Sequence, residues 1–382
     1  MAELIIEDPR SGRDYVEVAA TYTSSAGRYR LWYRVDEKHR EALAVNADPF
    51  VIGLLPLAMN IGEPLHVAGP VSPSLLENLE SFQEAWSAWK PRSYQQVKID
   101  AEVLAEPELP EREEAISGFS GGVDSAFTVY RHAKGVTTRY PKPLKAAVMV
   151  HGFDIPLDDP DGYQRASRKA VRQLDSLGIE LIRVATNYRE QPVHWPHAFG
   201  AAVASVLSLF QGRFNQGLIA QGIPFAAYHH LVEGSNPLTD PLLSSGAFKV
   251  LPDGAGFQRY EKLAALAAWR EGLDELRVCW RNPIHDENCC VCEKCIRTIL
   301  SFRAAGLDLP RSFPKDVSNE QILGLVPIAN LKISVGFGPI LKEAERRGLQ
   351  NEPWVRTLRR AIQLSHRKRL YGRVRRRLGF RA

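Results

Sequence analysis

The hexapeptide Ser-Gly-Gly-Val-Asp-Ser at residues 120–125 constrains the local fold more than any other stretch of this chain. A short apolar run, residues 115–119, precedes it, and a segment of helical composition follows it as far as Gly135. This order predicts a β-strand, a glycine turn and an α-helix. Because glycine has no Cβ and the first N–H groups of a helix are unpaired, such a turn can hold a phosphate group against the backbone.

The turn also carries polar groups suited to a metal-bound phosphate. Ser120 and Ser125 offer hydroxyl donors. Asp124 would repel a bare phosphate, so its presence indicates a Mg²⁺ ion between the carboxylate and the phosphate oxygens. The Gly-Lys-Ser/Thr ending of a Walker-type loop is absent. The alternative is a glycine and serine turn without a ligand in an ordinary α/β protein.

The hexapeptide resembles the pyrophosphate loop of the N-type ATP pyrophosphatases, the PP-loop or adenine nucleotide alpha-hydrolase superfamily. Its members cleave ATP between the α and β phosphates and place AMP on a carbonyl or carboxylate oxygen. A nitrogen or sulfur nucleophile then displaces the AMP. The resemblance covers residues 115–302 and implies that ATP is bound by the loop residues Ser120, Gly121, Gly122, Val123, Asp124 and Ser125, with Asp124 as a ligand of Mg²⁺.

Strand and helix patterns alternate after the loop. Strands are predicted at residues 144–150, 179–185 and 223–230, and helices at residues 163–177, 197–210 and 258–272. This alternation predicts an α/β fold with a parallel, doubly wound sheet, and the resemblance implies its HUP/Rossmann-like form. Ligands of such sheets bind beyond the carboxyl ends of the strands, which groups the loop with residues 151–154, 187–189 and 233–240.

Several residues at these strand ends are candidate site residues. The segment 233–240 resembles the glycine and polar segment that faces nucleotide and acceptor in the superfamily. We therefore expect Gly234 and Ser235 at the nucleotide and Asp240 at the metal or the acceptor. A plain polar loop is the alternative. His151 lies where members of the superfamily contact adenine, often through backbone groups, whereas His229 and His230, in an apolar strand pattern, are expected to be structural.

Arg259 and Lys262 are candidate catalytic residues together with Asp124 and Asp240. A cation in their segment would neutralise the charge that builds on the departing pyrophosphate. Related enzymes carry a lysine in a comparable segment, and a solvated helix face is the alternative explanation.

All five cysteines lie between Cys279 and Cys295. Clustered cysteines in a chain without secretory features indicate a metal site rather than disulfides. Cys289, Cys292 and Cys295 form two overlapping Cys-x-x-Cys units, and Cys279 supplies a fourth thiolate for a closed, structural Zn²⁺ site. We assign no catalysis to this site.

The cluster resembles the zinc segment of the 7-cyano-7-deazaguanine synthases, where a glycine stands in place of Cys290. Cys290 is therefore either a free thiol or a ligand that exchanges with Cys289, and His285 is a further possible ligand. An iron–sulfur cluster is the competing metal site. A helix is predicted from residue 293 to a cap at Gly306, with Arg297 next to the metal and within reach of a phosphate or the acceptor.

The chain is predicted to have five parts: a small N-terminal α+β domain (1–105), a linker (106–114), the PP-loop ATP pyrophosphatase domain (115–278), the zinc segment (279–306) and a helical extension with a basic tail (307–382). The first part contains a predicted hairpin (15–22 and 29–35), a helix from Ser72 to Pro91 with a buried tryptophan stripe, and a strand at 94–103.

The charge of the chain is uneven. Its net charge is +5, yet the eleven Lys and Arg from Pro353 onward have no acidic neighbour, which leaves about −6 (+5 − 11) for the preceding part. The tail is expected to bind RNA, to dock on an acidic surface, or to stay solvated. A homodimer is one arrangement that such docking would allow.

These features predict a cytoplasmic enzyme that is not bound to a membrane, since the chain has neither a signal-peptide pattern nor an apolar run of about 20 residues. The first hypothesis is an AMP-forming ligase that uses ATP, Mg²⁺ and a structural Zn²⁺, with a small-molecule acceptor and ammonia or an amine. The second is a tRNA-modifying, thiolating enzyme with a sulfur donor. The third is a zinc-stabilised nucleotide-binding module without catalysis.

Overall fold

The computed structural model describes residues 1–106, 108, 113–228, 232–325 and 331–377. The strands of this part are β1 Ala2–Ser11, β2 Tyr15–Ser24, β3 Gly27–Asp36, β4 Leu65–Val71, β5 Ile99–Leu104, β6 Ala115–Gly118, β7 Leu144–His151, β8 Glu180–Thr186, β9 Gln216–Ala220 and β10 Lys249–Asp253. The helices are α1 Asp48–Ile61, α2 Pro73–Trp89, α3 Val123–Lys134, α4 Pro160–Asp175, α5 Trp195–Ser208, α6 Arg259–Leu266, α7 Arg270–Asp274, α8 Glu293–Ala305, α9 Asn319–Leu323, α10 Leu331–Arg346 and α11 Pro353–Arg377.

One sheet contains all of these strands, in the order β5-β4-β1-β2-β3-β8-β7-β6-β9-β10. The last five strands of this order, β8, β7, β6, β9 and β10, are parallel to one another, as the alternation of strands and helices predicts. Numbered from β6 as the first strand, their order is 3-2-1-4-5, so the direction of winding reverses between β6 and β9. In open parallel sheets, ligands bind beyond the strand ends at such a reversal.

The strands of the first hundred residues belong to this same sheet. The sequence predicted instead that these residues form a separate small domain. β3 pairs with β8 in antiparallel register, with Tyr33 opposite Thr186 and Val35 opposite Val184. The side chain of Asn187 supports this junction, because it accepts a hydrogen bond from Trp32 N at 3.0 Å and donates one to Arg30 O at 2.8 Å. The domain boundaries stay predictions, but the sheet itself is continuous across them.

Helices cover both faces of the sheet, and each face has its own hydrophobic core. α1, α2 and α5 pack on one face, and α3, α4, α6 and α8 pack on the other. The predicted tryptophan stripe of α2 lies in the first core, where Phe82 and Trp86 are buried. The structure therefore confirms that this stripe is a core face. Within the described ranges, every helix is too short or too polar to span a bilayer.

Several predicted elements need correction. The predicted fourth strand at 223–230 is wrong, because β9 lies earlier and Phe225–Ala227 is a 3-10 turn. Pro224, which has no N–H for a strand ladder, explains why pairing stops before this point. His229 and His230 lie outside the described residues. The predicted helix 258–272 is interrupted between α6 and α7, and the strand predicted at 94–103 begins only at Ile99.

A contact between two glycines sets the distance between α5 and the segment that follows β9. A Cβ on Gly200 would lie only 2.1 Å from the carbonyl oxygen of Gly234, and Gly234 N donates a hydrogen bond to Pro196 O at 2.8 Å. The two backbones therefore pack directly against each other, and any side chain at Gly200 would push them apart.

We expect Gly200→Ala to lower the free energy of unfolding by about 1–3 kcal/mol, because the new methyl group meets backbone that cannot move aside. This loss should appear although alanine favours helix more than glycine does. Urea unfolding followed by circular dichroism measures it. Gly256, around which a Cβ would meet nothing within 4 Å, is the control. If Gly200→Ala is as stable as Gly256→Ala, the close packing is contradicted.

Candidate functional site

The loop at residues 120–125 lies at the reversal of the strand order, between the end of β6 and the start of α3. Gly121 has a φ of 74°, in the left-handed region that favours glycine, and Gly122 is the N-cap residue of α3. No side chain caps this helix. Ser125 Oγ accepts a hydrogen bond from Ser120 N at 3.2 Å and lies 3.3 Å from Ser120 Oγ. The predicted strand, turn and helix are confirmed, and the turn presents helix N–H groups and hydroxyls.

Asp124, in the first turn of α3, forms two ion pairs. Arg259 Nη2 and Lys262 Nζ, both on α6, each lie 2.7 Å from one of its carboxylate oxygens. Burial alone would raise the pKa of Asp124, but the charges of Arg259 and Lys262 outweigh it and hold that pKa far below its usual value. The structure thus brings three of the four predicted catalytic residues together beside the loop.

A cavity of about 710 Å³ opens beside the loop, a volume typical of ligand sites. Ser120, Asp124 and Ser125 line it, whereas Gly121, Gly122 and Val123 do not. One wall is apolar and aromatic and comes from β7, α5 and the segments next to them, with Val150, Phe153, Trp195, Phe199 and Val203. The rest of the lining is rich in charge, with the cations Arg189, Arg259, Arg277, Lys294 and Arg297 and the carboxylates Asp124, Asp154, Glu233 and Glu293. The cavity therefore offers an apolar surface for a planar group and cations for an anion.

A more open depression over β1 to β3 does not have this character. Its lining includes Glu7, whose carboxylate forms ion pairs with Arg30 at 2.9 Å and with Arg10 at 3.2 Å, so most of its charges are paired within the protein. We assign the candidate site to the cavity at the loop because the N-terminus of α3 and a cluster of cations meet there.

Arg277 and Lys294 are cavity residues that the sequence analysis missed. Arg277 precedes the first cysteine by two residues, and Lys294 stands between the last two, so the cysteine pattern is their only signal in the sequence. Arg297, predicted next to the metal site, also lines the cavity. Burial and the nearby charge of Arg259 lower the pKa of Arg297, and the carboxylates of Glu293 and Asp124 oppose this shift in part.

Other predicted residues do not line the cavity. His151 is buried, donates a hydrogen bond from Nε2 to Pro156 O at 2.8 Å and stacks on Tyr163. Gly234 packs against α5, as described above. Ser235 does line the cavity. Of the three predicted nucleotide contacts His151, Gly234 and Ser235, Ser235 is therefore the one that lines the cavity.

Asp240 is fully buried and bonded within its own segment. Its carboxylate accepts hydrogen bonds from Ser235 Oγ and Gln221 Nε2 at 2.7 Å and from Asn236 N at 3.0 Å. Burial raises the pKa of Asp240 to about 7, although these hydrogen bonds lower it in part. The predicted contact with a metal or an acceptor does not fit this position. Asp240 instead fixes the hydroxyl of Ser235 from the buried side of the segment.

Four cysteines form the predicted cluster. The sulfur atoms of Cys279, Cys289, Cys292 and Cys295 all lie within 4.8 Å of one another. Cys279 Sγ is 3.4 Å from Cys289 Sγ and 3.7 Å from Cys292 Sγ. Four thiolates around a tetrahedral ion at ~2.3 Å would be separated by about 3.8 Å. The donor set and its spacing therefore fit a metal ion such as zinc.

Cys290 and His285 are not part of this cluster. Cys290 Sγ is buried and contacts Asn288 O at 3.6 Å, and the φ of Cys290 is 57°. This left-handed conformation explains why glycine suits the same position in the segment that this one resembles. His285 Nδ1 bonds to the carboxylate of Asp159. The four cysteines that lie together and could hold a metal are therefore the four predicted ligands.

Comparison of the chain with protein-family models, with curated proteins and with solved structures finds no match. The fold and the site define the chain as an α/β protein with a mostly parallel sheet, a glycine-loop cavity and a four-cysteine cluster that could hold a metal.

The raised pKa of Asp240 predicts a particular dependence of stability on pH. The folded protein keeps a proton on Asp240 between pH about 4 and 7, where an ordinary carboxyl of the unfolded chain has lost it. The stabilising contribution is therefore present below pH about 4 and is lost as the pH rises through 7. We expect the unfolding free energy of the wild type, minus that of Asp240→Asn, to fall from pH 5 to pH 7 by up to ~1.4 kcal/mol per pH unit. A difference that stays constant or grows contradicts this assignment.

The cysteine geometry predicts different metal contents for two neighbouring variants. Cys292→Ser removes a ligand, so we expect it to lose the bound metal and several kcal/mol of stability. Cys290→Ser changes a thiol that points away from the cluster, so it should keep one metal ion per chain. Elemental analysis of the purified variants, together with their melting temperatures, distinguishes the two. Loss of the metal in Cys290→Ser would show that the ligand set is wrong.

Proposed function

We propose that this protein is an AMP-forming, ATP-dependent enzyme of the PP-loop type. It binds ATP over the loop at residues 120–125 and transfers AMP to a carbonyl or carboxylate oxygen of a small acceptor. The acceptor oxygen attacks the α phosphorus, the bond from that phosphorus to the bridging oxygen breaks, and pyrophosphate leaves. The lone pair of a nitrogen nucleophile then attacks the activated carbon, and AMP leaves with the bonding electrons.

The observation that carries this proposal is the position of the loop. The 3-2-1-4-5 order of the parallel strands is that of a Rossmann-like, doubly wound sheet. The Ser-Gly-Gly-Val-Asp-Ser turn follows the first strand of that order and opens α3 at the reversal. A serine and glycine turn of no function would not need to lie at the one strand end where such sheets bind nucleotides, under a cavity of ligand size.

The charges beside the loop support a reaction in which pyrophosphate departs. Arg259, Lys262 and Arg277 surround the loop before any ligand is bound, so that little reorganisation is needed when negative charge develops. Orientation and charge neutralisation then supply most of the lowering of the barrier, without an acid or base in the first step. The aromatic wall with Phe153 and Phe199 suits the adenine ring.

Two metals belong to the proposal. Mg²⁺ would be held by Asp124 and the phosphate oxygens. Both carboxylate oxygens of Asp124 accept bonds from cations, so Mg²⁺ at this position would take the place of one ion pair. Zn²⁺ would occupy the four-cysteine cluster as a structural ion, since four thiolates leave no open position for water.

The thiolating alternative meets an obstacle at Cys290. Transfer of sulfur from the enzyme needs an accessible thiol outside the metal site, and Cys290 is only 1% exposed. Burial also raises the pKa of the Cys290 thiol. A nitrogen nucleophile therefore fits the chain better than a persulfide carried on its own cysteine.

We expect Mg·ATP to raise the unfolding free energy of the wild type, by about 2.7 kcal/mol at a hundredfold excess over the dissociation constant. Asp124→Ala should lose this stabilisation, because Arg259 and Lys262 then lack their carboxylate and Mg²⁺ lacks its ligand. Asp161, an exposed carboxylate in the first turn of α4, offers the matched control, and Asp161→Asn should respond as the wild type does.

Catalysis is tested by pyrophosphate release when the purified protein is incubated with Mg·ATP and fractionated small molecules from a cell extract. We expect release in at least one fraction, with new products of matching mass, and none with Asp124→Ala. Binding of Mg·ATP without any pyrophosphate release would leave only a nucleotide-binding module. Absence of both would refute the proposal.

A further inference from the structure

The clustered cysteines and four charged side chains of the cavity lie on the same short segment of the chain, residues 277–297. Arg277 stands two residues before the first ligand, Cys279, and Arg297 stands two residues after the last, Cys295. Both arginines line the cavity. A metal ion that holds the cysteines together therefore also fixes the two points from which these arginines start.

Arg277 connects the cysteine cluster to the phosphate-binding loop. Its backbone N–H donates to Gly121 O at 2.8 Å and its Nη2 donates to Ser120 O at 3.1 Å. These bonds hold the carbonyls of Ser120 and Gly121 on the side of Arg277, while the N–H groups of Ser120 and Gly122 are bonded to the loop's own serine hydroxyls. Arg277 is 7% exposed, and its Nε has no hydrogen-bond partner among the described residues.

The backbone that follows Arg277 is held by a residue next to the second cysteine of the cluster. Asn288 Oδ1 accepts hydrogen bonds from Val278 N at 2.9 Å and from Cys279 N at 3.1 Å. Asn288 immediately precedes Cys289, so one side chain fastens the segment of Arg277 to the segment of the second ligand. The path from metal to loop is therefore short and made of defined hydrogen bonds.

Arg297 reaches the cavity from the far end of the cluster, on α8. Its Nε is 3.4 Å from Glu293 Oε1, an ion pair without hydrogen-bond alignment. A Cβ on Gly336 would lie 3.0 Å from Arg297 Cδ, so the glycine lets α10 press on this arginine. Arg259 Nη1 also contacts Thr298 at 3.4 Å, which joins the cation beside Asp124 to α8.

We propose that Arg277 is a positioning residue for the loop and Arg297 an anion-binding residue, and that the metal-binding cysteines couple the two, so that metal retention and polyphosphate binding strengthen each other. This inference deepens the proposed function, on whose loop it rests. Coupling of two binding sites is reciprocal. If the metal holds the arginines in place for an anion, a bound anion must hold the cysteine segment in place for the metal.

The test measures how fast zinc leaves the zinc-loaded protein for an excess of a chromogenic chelator, without ligand and with saturating Mg·ATP or magnesium pyrophosphate. We expect either ligand to raise the affinity for zinc by at least about fivefold, the lower end of common coupling strengths, and we expect this gain to appear as slower zinc release. Zinc release does not depend on turnover, so it needs no acceptor.

Variants separate coupling from general stabilisation. Arg297→Gln should retain one zinc per chain and release it without ligand within about twofold of the wild-type rate, yet lose the protection. Arg277→Gln should also lose the protection. Arg277→Lys should recover part of it, since a lysine restores the charge but not both guanidinium contacts, from Nη2 to Ser120 O at 3.1 Å and from Nη1 to His285 O at 3.3 Å. Arg281→Gln is the matched control, because exposed Arg281 lies within the cysteine segment and stacks on Trp280. Its protection should equal that of the wild type.

The outcomes separate this inference from the proposed function. Mg·ATP that raises the melting temperature but leaves zinc release unchanged overturns the coupling and spares the nucleotide site. Pyrophosphate that slows zinc release while Mg·ATP neither binds nor protects supports the coupling and removes the ATP assignment. Full protection in Arg297→Gln, or a purified protein that neither retains nor binds zinc, also overturns the coupling.

Discussion

The buried cation Lys262 holds the parts of the candidate site in one arrangement. Its side chain is 2% exposed, and its Nζ donates to Asp124 on α3 and to Gln221 O just beyond β9. A buried charge is tolerated only when it is paired and hydrogen-bonded, so these contacts are a condition for α6 to pack where it does. Lys262 thus bridges the two strand ends between which the sheet reverses, and the loop, the cations and the cavity all follow from this position.

The parts of the site that the sequence predicted are those whose signal is local. The glycine loop is defined by residues next to one another, and the cysteine ligands by a spacing of a few residues. Arg259 and Lys262 were predicted from a helix pattern close to the true one. In each case the residue type and its neighbours carry the information, and tertiary structure only brings the pieces together.

The parts that the sequence did not predict depend on contacts between distant segments. Nothing around Arg277 distinguishes it from a surface arginine, because its role arises where it meets Gly121. Asp240 has the residue type of a metal ligand, yet burial and three hydrogen bonds inside its own segment use up its carboxylate. The pairing of β3 with β8 likewise joins segments whose separate patterns describe two ordinary strands.

The pairing of β3 with β8 also has a consequence for the solution behaviour of the chain. Without residues 1–36, β8 would lose its antiparallel pairing at residues 184–186, and the N–H and C=O groups there would become an open edge beside the apolar side chain of Val184. Such an edge is a template for adding strands from other molecules. The first three strands therefore protect the parallel sheet from aggregation. This protection does not depend on a ligand, and a shortened chain beginning after residue 105 would lack it.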